Sequence, residues 1–349
     1  MNIIFSATRQ WNPGDEFILR GCLRALALAG FDVNPVLFNR HPQIRRTNGI
    51  AALDRWLPRR NKSLFMDNSV KDMTDIAFAD AVVFAGSPEW RGRRLRPLYA
   101  KLRASGRPAL FLGIGTNKPF AFDAMHFSDD ERAVLRASPL IACRDARTVQ
   151  GLAPLPVHQL TCPAFLSVGC EAVHARVRRV ALIFGSDTAI RQNNISPATF
   201  AFLGELYAAL LARHGADIEF EFVAHYIDEL PHFVRSAFAG WPLRYSYDSR
   251  DYADIYARYD LVVGHRVHGV GIAASQGIPG ICITHDLRGE TARGFGAELL
   301  AAGAPLEQGL RLFDEVRDSL EARSAGLIAH KREIESTYVD LLRGALRRA

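Results

Sequence analysis

Arg266 and His268 stand two positions apart in the run Gly264-His265-Arg266-Val267-His268-Gly269. A guanidinium presents a fork of donors that matches a carboxylate or a phosphate, and an imidazole titrates near neutral pH. Side by side they suit a phosphate or a carboxylate. The run follows an apolar stretch, Leu261-Val262-Val263, and leads into a small-residue stretch, Gly269–Gly277. Read as strand, turn and helix, this puts both side chains at a helix N-terminus, where free N–H groups and the helix dipole add to the attraction for an anion. The backbone at Val267 and Gly269 would supply donors, and Gly269 and Gly271 would let it come close to a ligand. The plainer reading makes Arg266 a structural ion pair and His268 a satisfied loop histidine.

Such a site needs a scaffold that delivers loops at strand ends. Short apolar runs alternate with longer amphipathic segments along the chain, the rhythm of an α/β protein with parallel sheets. Strands are predicted at Met1–Ala7, Val33–Phe38, Asp80–Ala85, Ala109–Gly113 and Leu140–Cys143, then at Arg179–Gly185, Leu261–Gly264 and Ile281–Thr284. Ile218, Phe220 and Phe222 alternate with Glu219 and Glu221, as in a half-exposed strand. Helices are predicted over Glu16–Gly30, Ala198–Gly215, Tyr252–Tyr259 and Gly269–Gly277, with a helical, charge-rich stretch from Leu310 onward. Two Rossmann-like domains, 1–175 and 176–349, follow from this order. In open α/β sheets ligands sit beyond the carboxyl ends of strands, so the site belongs in the cleft between the two.

Composition narrows the class. The 349 residues are 48% hydrophobic and 23% charged, enough for a core in each half and too apolar for disorder. The formal charge of +6 fits an anionic small molecule, an anionic membrane surface or nucleic acid, and chooses none of them. Five widely spaced cysteines without a CxxC pair argue against a disulfide framework or a cysteine zinc site and for a reducing cytoplasm. The start MNIIFSATRQ has no basic n-region, so no secretory leader is expected. No run approaches the ~20 apolar residues of a spanning helix. Neither RNP, helix-turn-helix nor zinc-finger pattern accompanies the basic charge, which speaks against nucleic acid.

The segment Asp260–Glu290 resembles the signature of the polysaccharide pyruvyl transferase family, matching at Arg266, His268, Gly269, Gly277 and Pro279. Further blocks resemble that family in its order: Asn12-x-Gly14-Asp15-Glu16, Asp80–Gly86, Leu112–Thr116, Ile141–Asp145, Cys162-Pro163-Ala164-Phe165 and His285-Asp286-x-Arg288. The likeness spans about residues 2 to 295. Three positions depart from it: Ser87 replaces a second glycine, His265 a small or hydroxyl residue, and Arg288 a lysine. The resemblance implies transfer of pyruvyl from phosphoenolpyruvate to two sugar hydroxyls, forming a ketal, in a fold of two Rossmann-like domains facing a cleft (GT-B-like).

The residues suit that chemistry. Protonation of the enol ether at C3 creates oxocarbenium character at C2, so His268 is the candidate acid. The donor carries a carboxylate and a phosphate, and Arg266 and Arg144 are the candidate grips, helped by the backbone at Val267 and Gly269. Arg144 would reach across the cleft and complete a charge clamp on closure. Alternatively Arg144-Asp145 is structural, with Asp145 capping the next helix. On the acceptor side, Asp15 either takes a sugar hydroxyl or caps its helix. Glu89 and Trp90 offer a carboxylate and a stacking ring, unless Trp90 packs in the core. Asn117-Lys118 follows a glycine loop that faces the cleft in this reading. No metal or cofactor is expected beyond phosphoenolpyruvate as donor substrate.

Two basic runs remain. Leu37–Lys62 carries seven Arg/Lys and one Asp, and Arg91–Arg103 carries six and no acid. They form either a solvated surface or a docking face for a lipid-linked saccharide at the inner, anionic side of the membrane. The leading expectation is a cytoplasmic pyruvyltransferase acting on a cell-surface polysaccharide or its precursor. The alternatives are a GT-B-type glycosyltransferase using a nucleotide sugar, although no late Glu-x7-Glu pattern is present, and a non-catalytic phospho-ligand or glycan-binding protein.

Overall fold

The computed structural model describes residues 1–7, 13–39, 76–86, 90–92, 95–116, 119–123, 127–185, 195–286 and 288–347. The apolar runs of the first half form six strands: β1 (Asn2–Ala7), β2 (Asn34–Asn39), β3 (Ala81–Ala85), β4 (Ala109–Ile114), β5 (Leu140–Cys143) and β6 (His158–Gln159). They pair in the order β2-β1-β3-β4-β5-β6, every pair parallel. A second parallel sheet holds β7 (Arg179–Ile183), β8 (Glu219–Val223), β9 (Leu243–Arg244), β10 (Leu261–Gly264), β11 (Gly280–Thr284) and β12 (Glu298–Ala301). Its order is β12-β11-β10-β7-β8-β9. Strands β3, β4 and β10 are buried along their whole length, as a parallel sheet covered on both faces requires. The chain is therefore α/β with two Rossmann-like sheets.

The sequence did not reveal β6, β9 and β12. These lie at or next to sheet edges and span two to four residues, too few for a periodic apolar signal. Helix boundaries also shift. The first helix runs Pro13–Leu28 and begins before Glu16, because proline at the first helical position needs no N–H partner and brings a helical φ. The stretch from Leu310 resolves into helices Leu306–Asp318 and Leu320–Leu346. No described helix is long and apolar enough to cross a membrane.

Helix Pro13–Leu28 is buried at Phe17, Ile18, Cys22, Ala25 and Leu26, and one apolar core runs past it from β1 to β7 and β10. Gly21 lets it meet the short 3-10 turn Pro163–Leu166, since a Cβ there would fall 1.7 Å from the Pro163 carbonyl oxygen. The last helix returns to this half. Arg24 donates to Glu335 at 2.8 Å, Arg343 Nε to the Ala29 carbonyl at 3.0 Å, and Tyr338 Oη to the Thr161 carbonyl at 2.8 Å.

Candidate functional site

Arg144 follows β5 of the first sheet and His268 lies just beyond β10 of the second, yet Arg144 Nη1 stands 3.1 Å from His268 Nε2. The carboxyl ends of the two sheets thus face one another, and Arg144 reaches from the first to His268 of the second. A guanidinium only donates, so Nε2 accepts and the neutral ring carries its proton on Nδ1. Burial, then the charges of Arg144 and Arg288 and the neighbouring His225, holds His268 well below the ordinary histidine pKa. Without a ligand these surroundings favour the neutral imidazole. Cys162 Sγ lies 3.9 Å from the same Nε2, and burial pushes its thiol up.

The opposite edge of the ring meets the start of helix Pro13–Leu28. A Cβ at Gly14 would sit 2.4 Å from His268 Nδ1. The contact is with a side chain that can swing away, so Gly14→Ala is expected to displace the ring and leave the fold standing. Activity should fall about 10²-fold, the scale for a displacement of about 1 Å within a site, with a thermal midpoint close to wild type. Asp15, one residue on, is 6% exposed, and its charge is felt at both Cys162 and Tyr226. It sits where the two halves meet.

Asp145 behaves as the structural reading anticipated. Its carboxylate accepts from the Thr148 N–H at 2.7 Å and caps helix Ala146–Gly151. Arg144 lies over Gly115, where a Cβ would come within 2.5 Å of its Nε, and that Nε has no hydrogen-bond partner among the described residues.

Arg266 requires a correction. One arm of the fork expected to be free is taken: Nη2 is bonded to Glu229, and the guanidinium stacks over Tyr226 at 4.3 Å from the ring centroid. Burial by itself lowers the Arg266 pKa most strongly, but Glu229, Tyr226 and Asp228 together outweigh it and the net shift is upward. Glu229 is fully buried and accepts from the N–H groups of His225 at 2.7 Å and Tyr226 at 3.1 Å. Burial lifts its carboxyl, with Arg266 and those two donors pulling the other way. The buried Arg266 Nε has no hydrogen-bond partner among the described residues.

Val267 opens helix Val267–Ala274, so its N–H and that of Gly269 belong to the first turn, as expected. The side-chain positions of the glycines serve packing instead of ligand approach. A Cβ at Gly269 would meet Tyr256 Oη at 2.6 Å, and one at Gly271 the Phe295 ring at 2.6 Å.

Trp90 is the second correction. Its side chain is 0% exposed, enclosed by Phe111, Phe120 and Phe127, so it has no face to offer a sugar. Its indole N–H donates to the Gly115 carbonyl at 2.9 Å and steadies the loop beneath Arg144. An apolar ring with a single donor is better matched to that inner position than to solvent. Glu89, Asn117, Lys118 and Ser87 lie outside the described residues. Two charges of the basic run Arg91–Arg103 are met internally: Arg91 stacks on Phe120 at 4.4 Å and Arg103 pairs with Asp130 at 2.9 Å.

Glu229, Tyr226 and His225 went unnoticed in the sequence. They follow β8, so the strand-end rule was their only signal, and no motif joins them to residues some forty positions away.

With this geometry in place, the comparisons become informative. The family model for polysaccharide pyruvyl transferase matches residues 12–286, which contain Gly14, Arg144, Cys162, Arg266 and His268. The chain belongs to the polysaccharide pyruvyl transferase family. A comparison with curated proteins finds no significant match. Among solved structures, the UDP-GlcNAc 2-epimerase from Neisseria meningitidis bound to UDP-GlcNAc aligns with a TM-score of 0.56 at 10% identity, over 98% of this chain and 99% of that one. A putative UDP-N-acetylglucosamine 2-epimerase from Listeria monocytogenes gives 0.57 at 11%, over 92% and 90%. The glycotransferase of kitacinnamycin gives 0.51 at 12%, over 98% and 97%. This family member therefore shares the two-domain fold of such epimerases and glycosyltransferases, and membership implies a saccharide acceptor.

Proposed function

We propose that this chain moves the pyruvyl group of phosphoenolpyruvate onto two hydroxyls of a saccharide, free or lipid-linked, and forms a ketal. The observation that carries the reading is the Arg144–His268 contact, made across the two sheets by residues within the family match. Arg144 and the unpartnered Nε edge of Arg266 hold the donor's anionic groups. The incoming negative charge raises the His268 pKa, so the imidazole becomes protonated beside the enol. His268 protonates C3, a hydroxyl bonds to C2, the C2–O bond to phosphate breaks, and the second hydroxyl closes the ketal. Of the two hydroxyl protons, one is in effect retained in the new methyl group and one leaves with inorganic phosphate. Asp15 serves in this reading as the base that accepts from the acceptor hydroxyl.

A thermal-shift screen decides between donors. Phosphoenolpyruvate at 100 times its dissociation constant should stabilise the chain by about 2.7 kcal/mol, while UDP, GDP and their sugars should leave the midpoint unmoved. The Neisseria epimerase of like fold is bound to UDP-GlcNAc. The reverse pattern would therefore transfer the reading to a nucleotide-sugar enzyme. Phosphoenolpyruvate binding with no phosphate release in the presence of any saccharide would make the chain a binding protein.

A further inference from the structure

Beside the Arg144–His268 contact, the carboxyl ends of β7, β10 and β11 gather a second group of bases. His265, the first residue after β10, is 3% exposed, and among the described residues neither ring nitrogen has a hydrogen-bond partner. The ring fits over Gly185, just past β7, where a Cβ would lie 2.8 Å from its Cε1 and 3.0 Å from its Nε2. His285, just past β11, stands with its ring centroid 6.4 Å away. Its Nε2 accepts from Arg288 Nη2 at 3.0 Å, and Arg288 in turn grips Asp286 at 2.7 Å.

A buried imidazole with both nitrogens unmet is costly unless a ligand meets them. The groups whose charge reaches His265 are Arg266, His285, His225 and Arg288, all basic. His285 faces Asp286, Arg288 and Arg266, and the one acid among them is already bound by Arg288. What the cluster lacks is a negatively charged hydrogen-bond acceptor, at the strand ends where open α/β sheets bind ligands. We propose that His265, His285 and Arg288 form a pocket for the phosphoryl group of a phosphate ester, and that His265 takes up a proton as that group enters. Burial, and then its basic neighbours, holds free His265 well below the ordinary histidine range. A dianionic phosphate opposes those neighbours and favours the imidazolium. The pocket rests on the pyruvyl-transfer reading only for which ester enters. Phosphoenolpyruvate and a nucleoside diphosphate offer the same chemistry.

Calorimetry at pH 7.5 in two buffers of different ionisation enthalpy tests this, since phosphate esters with a second pKa near 6 are already ionised there and any proton taken up goes to the protein. Wild type should take up about one proton more per phosphoenolpyruvate than His265→Phe, which keeps the ring shape and loses the nitrogens. The variant should also bind about 10- to 100-fold more weakly, as for a lost hydrogen bond to a charged group. Equal uptake and equal affinity would overturn the pocket. Histidine resonances of the wild-type protein, titrated with inorganic phosphate, phosphoenolpyruvate and UDP, need no variant to fold. Movement of the His265 signals with UDP alone would keep the pocket and remove the pyruvyl donor. His265 signals unmoved by all three would remove the pocket.

Discussion

His268→Gln should lower kcat about 10²- to 10⁴-fold, the range for a lost general acid, while the dissociation constant for phosphoenolpyruvate changes little. The amide keeps a polar side chain near Arg144 and cannot deliver a proton at neutral pH. Direction of pH dependence follows from the depressed pKa of the free imidazole. An acid must be protonated to act, so activity falls as pH rises through its pKa. The kcat/KM profile reports the free enzyme and should fall at lower pH than kcat, which reports the complex whose anionic donor has raised the pKa. Rates from pH 5 to 9 by phosphate release would show the two limbs apart. Near-wild-type turnover by His268→Gln would take the residue out of the chemistry.

Glu229→Ala should cost about 3–5 kcal/mol of stability, because it leaves Arg266 charged, buried and unpaired. It also strips the His225 and Tyr226 N–H groups of their acceptor. Urea unfolding should show a lower midpoint with an unchanged slope. The double change Glu229→Gln with Arg266→Met should recover much of the loss, since removing both charges avoids the lone buried one. A double variant no better than Glu229→Ala would rule out charge burial as the cause. Its affinity for phosphoenolpyruvate should nonetheless be reduced, which separates the part Arg266 plays in binding from the part it plays in folding.

Much of the site was legible in local sequence. The strand–turn–helix around Arg266 and His268 announced itself because an apolar run, a basic pair and a small-residue stretch are contiguous, and contiguous residues need no knowledge of the fold. Arg144 was singled out through the family-like block Ile141–Asp145, and its meeting with His268 is what facing strand ends allow. Trp90 misled because an aromatic after a strand looks alike whether it turns outward or in. Only the positions of Phe111, Phe120 and Phe127 decide that it turns in.

By itself, the sequence determined the α/β order, the two parallel sheets and the strand ends where the candidate site gathers, because hydrophobic period and turn residues act over a few neighbours. Tertiary structure alone decided that Arg266 is bound to Glu229, that Gly14 lies against the His268 ring, and that His265 is enclosed among bases. Those outcomes depend on groups from distant strands being taken out of water together. The cost of a buried charge, or the worth of its partner, exists only after the chain has closed around both.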